Sequence, residues 1–102
     1  MARKKVLITG AAGRIGQALR RGLKDRYDLR LQYHRTVLPA EEGEEVFVAS
    51  VADLEKMEEV VAGVDAIVHM AGDPRVSAPW EAVLEANIQG TYCVYEAAKR
   101  QG

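Results

Sequence analysis

Val6-Leu7-Ile8-Thr9-Gly10-Ala11-Ala12-Gly13-Arg14-Ile15-Gly16-Gln17-Ala18-Leu19 is the stretch whose reading decides the fold. Its first four residues are apolar or β-branched on both faces of an extended chain, the pattern of a buried parallel strand. From Arg14 to Lys24 the period changes, and Ile15, Ala18, Leu19, Gly22 and Leu23 recur at helical spacing. Gly10, Gly13 and Gly16 stand at fixed intervals between strand and helix. Gly10 suits a tight turn, Gly13 a close approach of backbone to a ligand, and Gly16 close packing of helix on strand.

Outward from this stretch, Leu29, Leu31 and Tyr33 alternate with Arg30 and Gln32, which predicts a second strand nearer an edge. Residues 39–45 are acidic and include Gly43, and read as a solvated loop. Val46 to Ala49 forms a third strand. Asp53 is placed to cap a helix with apolar Leu54, Met57, Val60 and Val61, ended by Gly63. Ala66 to Met70 forms a fourth strand, followed by a loop from Ala71 to Pro79. Trp80 to Arg100 reads as one long helix with Val83, Leu84, Asn87, Ile88, Thr91, Tyr95 and Ala98 near one face. The order β-α-β-β-α-β-α predicts an α/β domain with a mainly parallel sheet and right-handed crossovers.

The 102 residues suffice for one domain, and a composition of 48% hydrophobic and 28% charged residues excludes disorder. Fourteen basic residues against fifteen acidic ones give a net charge of −1, which argues against a nucleic-acid partner. No apolar run approaches the ~20 residues of a membrane helix. Met1-Ala2-Arg3-Lys4-Lys5 leads straight into the first strand without the apolar stretch of a secretory signal. The single cysteine, Cys93, excludes an internal disulfide framework and a cysteine-cluster metal site, and it reads as a buried thiol. No other metal site is expected. These features predict a cytoplasmic protein with no membrane contact.

The glycine turn exposes N–H groups at a helix start, where a pyrophosphate would bind. Dinucleotide folds often place an acid at the end of the second strand to hold the adenosine ribose. Tyr33-His34-Arg35 stands there instead. A cation at that place pairs with a 2′-phosphate, so the cofactor is expected to be NAD or NADP with a lean to NADP, assisted by Arg14.

Four motifs, in order, resemble the extended short-chain dehydrogenase/reductase family of NAD-dependent epimerases and dehydratases. They are Thr9-Gly10-Ala11-Ala12-Gly13-Arg14-Ile15-Gly16, Ala49-Ser50-Val51-Ala52-Asp53, Gly63 to Gly72, and Asn87-Ile88-Gln89-Gly90-Thr91 followed by Tyr95-Glu96-Ala97-Ala98. Within that family, Pro79-Trp80-Glu81 and Leu84 to Thr91 look most like uronate dehydrogenases. The resemblance implies a Rossmann-type doubly wound sheet of four strands in the order 3-2-1-4. It implies that Gly10, Ala12, Gly13, Arg14, Ile15 and Gly16 hold the pyrophosphate and that Met70, Ala71 and Gly72 lie along the cofactor near its ribose. Ser50 and Val51 match a pair that holds the adenine, although the family's acid is replaced by Ser50. Asn87 matches an asparagine that supports the active site.

The implied function is the NAD(P)-binding portion of a sugar-active oxidoreductase, with hydride transfer at a sugar carbon and uronate oxidation as the favoured substrate class. The alternatives are a nucleotide-sugar epimerase or dehydratase, a non-catalytic NAD(P)-binding module, and a fragment that binds nothing well. The family's catalytic Ser, Tyr and Lys find no match. Tyr95 and Lys99 have the family's spacing but lie on the helix of Asn87 rather than the next one, and Tyr95 is expected to face the core. Residues 1–102 are therefore expected to form an incomplete N-terminal domain, inactive alone. Asp73, Arg75 and Ser77 are candidates for contact with a sugar-type substrate, Arg75 through a carboxylate. His69 is expected to fill space at a strand end and Trp80 to pack the helix start. An open edge at the fourth strand predicts a homodimer through it.

Overall fold

The computed structural model describes residues 3–102; Met1 and Ala2, part of the reading of the chain start, lie outside them. Strands β1 (Lys5–Thr9), β2 (Asp28–Tyr33), β3 (Glu45–Val48) and β4 (Ala66–His69) form one sheet in the order β3-β2-β1-β4. All three strand pairs are parallel, with Ile8 of β1 opposite Leu31 of β2 and Val68 of β4. The expected four-stranded order is the observed one. β1 is central, which is why its apolar run has no polar alternation.

Alternate residues of β1 serve two cores. Val6 and Ile8 pack with Leu29, Leu31 and Tyr33 beneath α1 (Arg14–Leu23), whose Leu19 and Leu23 complete that side. Leu7 faces the other way, among Met57, Val60 and Val61 of α2 (Leu54–Val61) and Cys93, Val94 and Ala97 of α4 (Gly90–Gln101). Each buried Leu, Ile or Val contributes about 1.5–3 kcal/mol relative to exposure. Asp53 caps α2 as expected, accepting from the Lys56 N–H at 3.2 Å.

The alternation in β2 carries a different meaning from that of a half-solvated strand. Arg30 and Gln32 are both buried, because α2 and its flanks cover their face of the sheet. The Arg30 guanidinium donates to the Val60 and Ala62 carbonyls at 2.8 and 2.6 Å. It thereby satisfies carbonyl groups orphaned at the end of α2. It also lies over the Phe47 ring, 5.0 Å from its centroid, and pairs with Glu45. The acidic loop is likewise not simply solvated, since Glu44 is drawn into a buried pair with Arg20.

The long C-terminal helix is interrupted. A short turn, α3 (Trp80–Ala82), passes into a π-helical segment, Val83–Gln89, and then into α4. The wider π turn takes in an extra residue and rotates the downstream turns by about 100° relative to a regular helix. The face α4 buries is consequently Gly90, Cys93, Val94 and Ala97, and Tyr95 is 71% exposed rather than core-facing. Trp80 is also exposed and does not pack the helix start. β4 remains an outer strand, with Ala66 exposed and Ile67, Val68 and His69 partly buried. Among the described residues no helix is long and apolar enough to cross a membrane.

Gly90 and Gly22 separate two roles of glycine in these helices. A Cβ on Gly90 would lie 2.5 Å from Val51 Cγ2, whereas one on Gly22 would meet nothing within 4 Å. Gly90→Ala is expected to destabilise the fold by about 1–3 kcal/mol through overpacking. Gly22→Ala is expected to stabilise it by about 0.5–1 kcal/mol through helix propensity. Urea unfolding of the two variants checks both signs.

Candidate functional site

Parallel sheets of this kind open a crevice beyond the carboxyl ends of their strands, where the strand order reverses. Here the reversal falls between β1 and β4. A groove of about 1350 Å³ lies there. Gly10, Ala12, Gly13, Arg14, Ile15 and Gly16 line it from the first turn, and Tyr33, His34 and Arg35 line it at the end of β2. Met70, Ala71, Gly72, Asp73 and Arg75 follow from the β4 loop, and Asn87 from the π segment. The structure brings these predicted residues together. Ser50, Val51 and Ser77 are not part of the lining. The Ser50 hydroxyl accepts from the Ala52 N–H at 3.1 Å, Val51 is buried against α4, and Ser77 is solvent-exposed.

The three glycines of the first turn differ in what requires them. Gly10 has φ +63°, and a Cβ there would lie 2.7 Å from the Ala71 Cα. A Cβ on Gly16 would lie 2.5 Å from the Gly10 carbonyl oxygen. Both are dictated by the protein's own packing. Gly13 is different: its φ of −72° suits any residue, and its nearest neighbour to a Cβ is the Gly10 oxygen at an ordinary 3.5 Å. Gly13 is exposed and opens α1 without a side-chain cap, and the first turn of α1 carries no acid. The helix start therefore presents free N–H groups and the positive end of its dipole to the groove.

Two residues that sequence reasoning did not single out brace this turn. The Gln32 side chain accepts from the Gly10 N–H at 2.8 Å and donates to the Ala49 carbonyl at 2.6 Å. Its backbone carbonyl accepts from the Ala11 N–H. A buried polar residue inside a strand was the available signal, since such a group must find partners. On the other side, Thr9 Oγ1 accepts from the Met70 and Ala71 N–H groups at 2.9 and 3.1 Å. With both lone pairs used, its hydroxyl proton goes to His69 Nδ1 at 2.7 Å. His69 Nε2–H then faces Thr91 Oγ1 at 3.2 Å, and that hydroxyl donates to the Asn87 carbonyl at 2.6 Å. His69 thus links β1 and β4 to the first turn of α4, whose Thr91 reaches back to the π segment. Burial lowers its pKa, in keeping with a neutral ring.

The Asn87 side chain clamps the β4 loop by both of its polar atoms. Oδ1 accepts from the Asp73 N–H at 2.5 Å, and Nδ2 donates to the Asp73 carbonyl at 3.1 Å. Asp73 in turn holds Arg75, whose Nε donates to Oδ1 at 2.8 Å and whose Nη2 pairs with Oδ2. The side-chain hydrogen bond from Arg75 pulls the Asp73 carboxyl down to about 2. Arg75 is thus paired within its own loop while its side chain stays exposed at the groove lining. Tyr33 is 1% exposed, and its hydroxyl has no hydrogen-bond partner among the described residues. Among those residues there is no cluster of His, Cys, Asp and Glu able to hold a metal.

A parallel sheet with a glycine turn at its switch point and a bare helix N-terminus facing the crevice defines an α/β domain of Rossmann type. Residues 6–102 match the NAD dependent epimerase/dehydratase family, and the chain belongs to that family. It is 44% identical over 99 residues to an NAD-dependent glucose-6-phosphate dehydrogenase of Haloferax volcanii, covering 91% of this chain and 37% of that one. It is 43% identical over 100 residues to a uronate dehydrogenase of Pseudomonas syringae pv. tomato, covering 96% and 36%. A mutant uronate dehydrogenase of Agrobacterium tumefaciens, solved in complex with NAD, superimposes with a TM-score of 0.90 at 40% identity, covering 99% of this chain and 38% of that one. The chain thus spans 36–37% of the length of these two curated relatives.

His69 generates a pH dependence whose sign is fixed by its lowered pKa. Below about pH 6.5 the unfolded chain takes up a proton that the folded chain resists, so stability is present above that pH and falls as pH drops. Denaturant titrations between pH 7.5 and 5.5 are expected to show this slope in the wild type and a weaker one in His69→Gln, which removes the buried ring.

Proposed function

We propose that this chain is the NAD(P)-binding portion of a sugar-active oxidoreductase that transfers hydride at a sugar carbon. The observation that carries the reading is Gly13, whose missing side chain neither backbone conformation nor internal packing requires. The space its Cβ would take lies over the bare start of α1, where a pyrophosphate fits. The Arg14 and Ile15 backbone would receive it with Gly13, and the Ala71-Gly72 segment would lie along the ribose. NAD(P), when bound, supplies the hydride acceptor. Thr9, Gln32 and Asn87 hold the walls of that groove in place without touching the reaction. No proton-transfer residue is assigned in this chain; Tyr95 stands beside β4, outside the groove lining. The sugar reading rests on the relatives, which include uronate, glucose-6-phosphate and L-arabinose dehydrogenases. Uronate is the favoured substrate, with the Asp73–Arg75 loop at the substrate side of the groove. The buried single thiol of Cys93 fits a reducing, cytoplasmic setting.

NADP is favoured over NAD at the adenosine end. Arg14, His34 and Arg35 are exposed on the groove rim there, and the lining acids, Asp73 and Glu85, belong to the β4 loop and the π segment. One relative, an L-arabinose 1-dehydrogenase of Haloferax volcanii, is named for use of NAD(P) and is 37% identical over 94 residues. Calorimetric titration of both cofactors tests the site and its preference together. Gly13→Ala is expected to abolish binding of both with an unchanged melting temperature. Arg35→Ala is expected to weaken NADP by roughly 10–100-fold, as for a lost charge-assisted bond, with little effect on NAD. Equal binding of the two cofactors by the wild type removes the NADP preference.

The chain is also expected to pair through its open β4 edge. Light scattering across a concentration series should show a dimer, and a monomer throughout would refute the pairing.

A further inference from the structure

A second polar feature lies behind the adenosine end of the groove, and the proposed function does not use it. Arg20 of α1 is 8% exposed, and its side chain reaches the loop between β2 and β3. Its Nε donates to Glu44 Oε2 at 2.8 Å, and its Nη2 donates to Glu44 Oε1 and to the Pro39 carbonyl at 2.7 Å. The Glu44 side chain is 4% exposed and also accepts from the Glu41 N–H at 2.8 Å. Glu41 approaches Arg20 and Lys24, each at 3.4 Å. Leu38, from the same loop, packs on the cluster that contains Tyr33. The loop is therefore fastened to α1 at its far end, while its near end, His34 to Thr36, lies exposed on the groove rim.

Stability alone is a poor account of such an arrangement. Burying two charges costs much of what their attraction returns, and an apolar pair of similar volume is often as stable or more so. Directional hydrogen bonds do what an apolar pair would not: through Glu44 and the Pro39 carbonyl they fix the direction in which the loop leaves β2, and the pair adds no net charge behind the rim's cations.

We propose that the buried Arg20–Glu44 pair is a positioning device for the adenosine end of the groove, holding the β2–β3 loop so that His34 and Arg35 select a 2′-phosphorylated ribose. Arg20 and Glu44 are positioning residues; neither touches the cofactor. The inference rests on the dinucleotide reading of the groove and goes one step behind it.

The test is titration of NADP and NAD into the wild-type chain, Glu44→Gln and Glu41→Gln. Amide hydrogen exchange of the free proteins is measured alongside. Glu44→Gln is expected to raise the NADP Kd about tenfold and the NAD Kd less than about threefold. Exchange should quicken across residues 34–44 and stay unchanged in β1 and β4. Glu41→Gln, which loosens the loop's second tie to Arg20 and Lys24 at a more exposed position, is expected to shift the NADP:NAD ratio the same way by a smaller factor, and it serves if Glu44→Gln fails to fold. A lowered melting temperature with an unchanged ratio in both variants makes the pair merely structural and overturns the proposal. Failure of the wild type to bind either cofactor instead overturns the dinucleotide reading beneath it.

Discussion

Gly10 and Ala71 come so close that no side chain atom fits between them: a Cβ on Gly10 would lie 2.7 Å from the Ala71 Cα. The end of β1 and the end of β4 are thereby pressed together at the point where the strand order reverses. Everything around the groove is arranged to hold that contact. Thr9 ties β1 to the backbone just after β4, and Gln32 ties the glycine turn to β2 and to the end of β3. A positive φ at Gly10 turns the chain sharply enough to start α1 at once. The glycine-turn wall of the groove is thus built from backbone groups held by the buried Thr9 and Gln32 side chains.

Much of this was legible in the sequence because it rests on local rules. A doubly buried strand, a glycine-spaced turn and a capped amphipathic helix each carry a signal within a short window. The strand order and the place of the β4 loop along the groove came instead from the family resemblance that these motifs carry. The departures have a common origin in partners distant along the chain. Arg30 and Gln32 look like the solvent face of a strand until α2 is laid over them. Glu44 looks solvated until Arg20, 24 positions earlier, reaches it.

Tyr95 illustrates a different failure. Its place on an apolar stripe assumed an unbroken α-helix from Trp80 onward. The π segment changes the phase partway, and no composition signal marks it. The same segment carries Asn87, whose side chain spans the Asp73 backbone and whose carbonyl takes the Thr91 proton. Pure α geometry would bond that carbonyl to the helix N–H four residues on and leave less freedom for a side-chain donor.

A π segment is a single-residue insertion accommodated inside a helix. It works here as a clutch between two surfaces of one continuous rod. Upstream, the helix is indexed to the loop after β4 and to the groove. Downstream, it is indexed to α2 and the sheet, where Gly90 meets Val51 and Cys93, Val94 and Ala97 fill the core. The two halves are set at angles that an uninterrupted helix could not satisfy together. One helix thus serves the groove and the core with a phase offset of one residue between its two ends.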